Sequence, residues 1–64
     1  MTAFEQLCEE LGVEITFDDH GLYTGMSRAL ACICVDVIMS GAAEPTVIDE
    51  VKKQFFAKFP YMKK

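Results

Sequence analysis

Polar and apolar positions change period several times along the chain, and each change marks an element. Over residues 2–12, Ala3, Phe4, Leu7, Cys8 and Leu11 fall on one helical stripe. Thr2 and Glu5 have the spacing of a capping box, in which each side chain satisfies the other's backbone N–H. Gly12 stands where a left-handed C-terminal cap is wanted. These signals predict an N-terminal helix. From Val13 the period becomes two: Val13, Ile15 and Phe17 alternate with Glu14 and Thr16, the signature of a half-buried strand. Asp18, Asp19, His20 and Gly21 are turn residues, and residues 22–24 return as a second strand kept brief by Gly25, which gives a short hairpin.

Residues 27–40 read in two ways. Ile33, Val35 and Val37 alternate like a buried strand, while the length of the run and its alanines favour a buried helix. We take the helix and keep a third strand as the alternative. As a helix it carries Arg28, Cys32, Asp36 and Ser40 in one row at steps of four, so its two charges share an edge and the rest is apolar almost all round. A domain of this size buries only about 60% of the surface its unfolded chain exposes, so such a helix is hard to cover from within. A homodimer or another partner is expected on that ground. Gly41 stops the element, residues 42–45 connect, and Thr46 followed by Asp49 and Glu50 opens a last helix. Val47, Ile48, Val51, Phe55 and Phe59 form its buried stripe, and Pro60 ends it. The fold class is therefore α+β, with an N-terminal helix, a short β-hairpin and two helices, in a single small domain over residues 1–64.

Composition narrows the class. With 52% hydrophobic and 25% charged residues the chain has the balance of a folded domain. Met1 to Glu10 contains three acids, no base and no apolar run, so no signal peptide is read there. The stretch from Ala29 to Met39 is broken by Asp36 and falls well short of the ~20 residues that cross a bilayer. No membrane contact is expected. Cys8, Cys32 and Cys34 make an odd count without framework spacing, which reads as reduced thiols used as small core hydrophobes, and the cytoplasm is the expected compartment.

Charge is distributed unevenly. Residues 1–50 hold all ten acids and one base, Arg28, whereas residues 51–64 hold five lysines and no acid, within a formal net charge of −4. Glu5 and Glu9 repel at i, i+4, and Glu9 and Glu10 crowd the negative end of the first helix, each unfavourable by ~0.3 kcal/mol. Helix stability alone does not select them. Glu5, Glu9, Glu10, Glu14, Asp18 and Asp19 are therefore the candidate contacts to a protein partner with a basic surface, against the alternative of a solvated face that keeps the protein in solution. At the other end Phe56, Tyr61 and Met62 are left over from the core stripe and are candidate hydrophobic contacts. Stacking of these aromatics on single-stranded bases between the lysines is the weaker reading, and nucleic acid is not the expected partner.

The chemistry expected of an enzyme is missing from the pattern. His20 is the sole histidine, and hydrolytic zinc sites use two or three nitrogen ligands. Cys8, His20, Cys32 and Cys34 fit no finger spacing, because C-x-C points both thiols one way only on a strand. The Gly21 to Gly25 segment lacks the Gly-Lys-Ser/Thr of a phosphate loop. A Cys-His-Asp set drawn from Cys32 or Cys34, His20 and Asp36 lacks room for a pocket and oxyanion donors in so short a chain. No catalytic residue, metal or cofactor is expected. The segments 11–17 and 21–23 together resemble the helix-strand-turn-strand opening of the phage-repressor-cleaving zinc peptidases, but the H-E-x-x-H helix of that family is absent and no ligand or catalytic residue carries over.

The sequence leaves two functional classes. The first is a small non-enzymatic regulator or inhibitor that sets its acidic half against a basic surface of another protein, with the acids mimicking phosphates where that surface holds nucleic acid. Compact acidic inhibitors of this kind are common products of phages and mobile elements, an argument by analogy. The second is a helix-turn-helix-like DNA-binding regulator, against which stand a connection at residues 41–45 that is long for the motif and acids at the start of its recognition helix.

Overall fold

The computed structural model describes residues 2–62. In chain order the elements are α1 (Ala3–Leu11), β1 (Thr16–Phe17), β2 (Tyr23–Thr24), α2 (Gly25–Met39) and α3 (Glu44–Lys58), then a 3-10 turn at Pro60–Met62. This is the α+β order of helix, hairpin and two helices. Residues 25–39 are helical, which removes the third-strand alternative. The chain divides into two compact units between Ala31 and Cys32, inside α2, and each is described in turn.

The N-terminal unit begins with the capping box. The Glu5 N–H donates to Thr2 Oγ1 and the Thr2 N–H donates to Glu5 Oε1, both at 3.1 Å. At the other end Gly12 takes φ 74°, its N–H reaching Glu9 O at 3.2 Å while the Val13 N–H reaches Cys8 O at 2.8 Å. This is a Schellman closure, and only a residue without a Cβ adopts that φ without strain. The closure also sets the part played by the next residues. Val13 is buried as the apolar residue that completes the cap, Ile15 is half-buried, and Phe17 is exposed. The alternation Val13, Ile15, Phe17 therefore does not line a single core face, and β1 is only two residues long. On α1, Leu7, Cys8 and Leu11 are buried and Phe4 is half-buried, whereas Ala3 at the open first turn is exposed.

The hairpin is antiparallel, with Thr16 opposite Thr24 and Phe17 opposite Tyr23. The two threonine hydroxyls share a hydrogen bond of 2.6 Å across the strands, and Thr16 Oγ1 lies 3.1 Å from Thr24 O. Tyr23 stands between two rings, 4.9 Å from Phe4 of α1 and 5.1 Å from Phe17. From Thr24 the chain passes straight into α2, which begins at Gly25, two residues before the expected Ser27. Gly25 makes the corner at φ 60°. Ser27, in the first turn, is fully buried. Its Oγ accepts from the Thr16 N–H at 3.3 Å and donates to Thr24 O at 2.6 Å, with Thr16 O a longer alternative at 3.4 Å. One hydroxyl thus fastens both strands to the helix. Leu30, one turn on, is buried.

In the C-terminal unit, α2 continues through buried Ile33 and Val37 and ends at Met39. Ser40 N–H reaches Asp36 O at 3.0 Å and Ser40 Oγ donates to Val37 O at 2.7 Å, so the last carbonyls are satisfied locally. Helix α3 starts at Glu44 rather than Thr46. Pro45 is accommodated in the first turn, where its missing N–H has no intrahelical partner to lose, and the Thr46 hydroxyl donates back to Ala43 O at 2.8 Å instead of capping. Val51 and Phe55 are fully buried and Val47 and Phe59 half-buried, but Ile48, expected in the stripe, is exposed. Phe55 meets Phe59 at 5.1 Å and Phe56 edge-on at 5.7 Å. The helix closes at Lys58, where the Phe59 N–H still reaches Phe55 O at 2.8 Å.

Substitution of Ser27 tests the role of its hydroxyl directly. Ser27→Ala removes the buried hydroxyl that both strands use, leaving the Thr16 N–H without its acceptor, and is expected to cost ~1–3 kcal/mol, whereas Thr2→Ala, which removes an exposed cap, costs ~1 kcal/mol. Urea unfolding of the two variants gives the order, and a smaller loss for Ser27→Ala than for Thr2→Ala contradicts the role assigned to the hydroxyl.

Candidate functional site

The six candidate acids all lie in the N-terminal unit and all are exposed. Their positions result from local structure. Burial of Leu7, Cys8 and Leu11 turns Glu5, Gln6, Glu9 and Glu10 to the outer face of α1. Glu9 and Glu10 sit in its last turn, which contains no base, so they face the negative end of the helix dipole. Glu14 lies in the extended link before β1, and Asp18 and Asp19 are in the hairpin turn.

Two of the six hold the local backbone. Glu5 closes the capping box through Oε1. Asp18 holds the turn: its Oδ1 accepts from the N–H groups of His20 at 2.8 Å and Leu22 at 3.0 Å, its own N–H reaches Leu22 O at 2.9 Å, and its carbonyl accepts from Gly21 at 3.1 Å. An Asp at that position stabilises the turn by mimicking backbone, which is why the turn residues were legible. Glu9, Glu14 and Asp19 are exposed and take no part in the cap or turn bonds described above.

Beside these acids stand apolar side chains that the sequence pattern did not announce. Phe17 and Leu22, near either end of the turn, are 57% and 63% exposed. Alternation had placed Phe17 in the core. Its ring instead stacks on Tyr23, at an interplanar angle of 29°, and leaves the other side open. The turn thus presents acids flanked by two uncovered apolar side chains.

The second group of candidates lies in the C-terminal unit. Phe56 is half-buried against Phe55, Met62 is half-buried in the 3-10 turn, and Tyr61 is exposed with its ring edge-on to Phe59 at 6.2 Å. Of the three, Tyr61 presents the most surface. The thiols differ in environment: Cys8 is buried, Cys34 half-buried and Cys32 exposed. Helical geometry separates Cys32 from Cys34 around α2, as expected for C-x-C on a helix. Among the described residues no group of three or more His, Cys, Asp and Glu side chains is placed to hold a metal ion, and no helix is long and apolar enough to cross a membrane. Comparison with known proteins finds no matching family model, no matching curated protein and no matching solved structure.

Burial pushes the Cys34 thiol above its ordinary value of 9.0, a rise partly offset by a backbone hydrogen bond. The thiolate is the nucleophile, so at neutral pH Cys34 is expected to be alkylated more slowly than exposed Cys32. The folded state holds this proton more tightly than the unfolded chain does. The contribution of Cys34 to stability is therefore complete below pH 9.0 and is lost as pH rises through the raised folded value. A maleimide time course read by peptide mass spectrometry tests the order, and faster labelling of Cys34 refutes it.

Proposed function

We propose that this protein is a small non-enzymatic regulator or inhibitor that binds a second protein through its acidic N-terminal half and self-associates through another surface. The observation that carries the reading is the hairpin turn. Solvation explains exposed acids but gives no reason for Phe17 and Leu22 to stand in water beside them. Interfaces, in contrast, combine a few apolar anchors with a charged rim that steers the encounter and sets specificity. The fit is to a basic surface with an apolar cleft. Where that surface serves nucleic acid, Glu9, Glu10, Glu14 and Asp19 take the place of phosphates. Residues 1–27 contain no Lys or Arg, so this stretch is acidic throughout. The reading places the protein in the cytoplasm, where the exposed Cys32 thiol stays reduced.

A second reading gains one observation. Because α3 starts at Glu44, α2 and α3 are joined by residues 40–43, a connection short enough for a helix-turn-helix of about 3–4 residues. Against it, Glu44, Asp49 and Glu50 occupy the N-terminal half of α3, the part that approaches phosphates in that motif.

Glu9→Lys with Glu10→Lys, and separately Phe17→Ser, are expected to remove capture of a nuclease-resistant protein from host lysate while circular dichroism stays unchanged. A lysine at either position complements the helix dipole where a glutamate opposes it, and the unchanged circular dichroism is the control that α1 is kept. Capture that survives both changes sinks the acidic-surface reading. A salt-dependent shift of duplex DNA that Lys52→Ala with Lys53→Ala weakens would promote the second.

A further inference from the structure

We infer that the hairpin seats an arginine side chain of the partner protein, its guanidinium laid flat on the open face of Phe17. The inference rests on the acidic-surface reading and names the group which that surface takes. Three rings stand in a row in the N-terminal unit: Phe4 of α1, then Tyr23 at 4.9 Å, then Phe17 at 5.1 Å. The first two are half-buried and the last is 57% exposed. Phe17 is inclined to Tyr23 by only 29°, so one face of its ring is used within the stack and the other meets water. Burial therefore does not account for an aromatic residue at this position. The stack is also firmly held, since Phe4 comes from a capped helix and both strands are tied to Ser27. A side chain that docks on Phe17 meets a surface already in place.

The chemistry around the ring selects the occupant. An aromatic face carries the negative part of the ring quadrupole and attracts a cation laid over it. Asp18 and Asp19 follow Phe17 directly and both are exposed. Residues 1–27 contain no Lys or Arg, so no such side chain of α1 or the hairpin covers the ring. A neutral apolar side chain would cover it too, but would take water from the adjoining carboxylates and return no bond. A cation offsets that loss. Of the two common cations, arginine fits better than lysine. Its guanidinium is planar and weakly hydrated, stacks through its face and still presents N–H groups at its edge, whereas an ammonium group is compact and strongly hydrated. Asp18 uses Oδ1 to brace the turn, and Asp19, which takes no part in those bonds, is the carboxylate assigned to the guanidinium edge.

Fluorescence anisotropy with two acetylated peptides of equal charge, hexa-arginine and hexa-lysine, tests the seat. The full chain is expected to bind hexa-arginine about three- to tenfold more tightly than hexa-lysine. Carboxylates alone also favour arginine, so the preference is traced to its source by changing the ring. Phe17→Leu, which keeps an apolar side chain and removes the aromatic face, should abolish most of the preference. Phe17→Trp, which keeps an aromatic face, should preserve or raise it, and Leu22→Ala, which removes an exposed apolar side chain without a ring, should leave it unchanged. In proton spectra the arginine δ-CH2 signals should move upfield on binding, as protons held over a ring do, and should stay in place with Phe17→Leu. Equal affinity for the two peptides, or a preference that survives Phe17→Leu, overturns the arginine seat. If Glu9→Lys with Glu10→Lys still removes capture from lysate in that case, the seat falls and the acidic surface stands. Failure of both peptides to bind overturns the two together.

Discussion

The hydroxyl of Ser27 is the contact on which the N-terminal unit depends. A hairpin with two residues in each strand does not hold itself together in water, since it has one pair of facing threonines, one pair of facing aromatics and, among the described residues, no third strand. Ser27 supplies what is missing. Sitting at the first turn of α2, it accepts from the Thr16 N–H and donates to Thr24 O, so that both strands are referred to the same helix. The direction of Phe17, the placing of the Asp18 turn and the corner at Gly25 all depend on that attachment. Because the group is fully buried, the bonds are made where water does not compete and where losing one leaves an orphan.

The parts of this fold that were legible in the sequence are those written within a few residues of one another. The capping box needs Thr2 and Glu5 three apart, the Schellman closure needs Gly12 at the end of an apolar stripe, and the Asx turn needs Asp18 ahead of Gly21. What was misread depends on partners farther away. Ser27 and Thr16 are eleven residues apart, and nothing at either position announces the bond. Val13, Ile15 and Phe17 alternate as a strand does, yet Val13 completes a helix cap and Phe17 stacks on a ring from the opposite strand. At α3 the threonine looked like the cap, but Pro45 tolerates the first turn and the helix simply starts before it. The ambiguity over residues 27–40 was resolved by length, since a 15-residue element is long for a strand and ordinary for a helix.

For the site the balance is similar. Exposure of the acids was legible, because charges leave a helix face that Leu7, Cys8 and Leu11 claim for the interior. That Glu5 and Asp18 spend a carboxylate oxygen on the backbone was half legible, from the capping and turn spacings. Exposure of Phe17 and Leu22 was not, because an apolar residue in a pattern is assigned to the core by default, and a small domain has too little interior to honour every such assignment. The residues it leaves outside carry the most information about partners.

Charge sets the range at which the proposed acidic surface acts. Each copy carries a formal charge of −4, so two copies repel at long range and an interface between them must be free of the acids that cause it. The acids of residues 1–27, a stretch that contains no Lys or Arg, act at a distance limited by screening to ~8–10 Å and so suit the capture of a basic partner. Self-association away from these acids and capture of a basic partner through them are compatible in one small chain because the two draw on different residues.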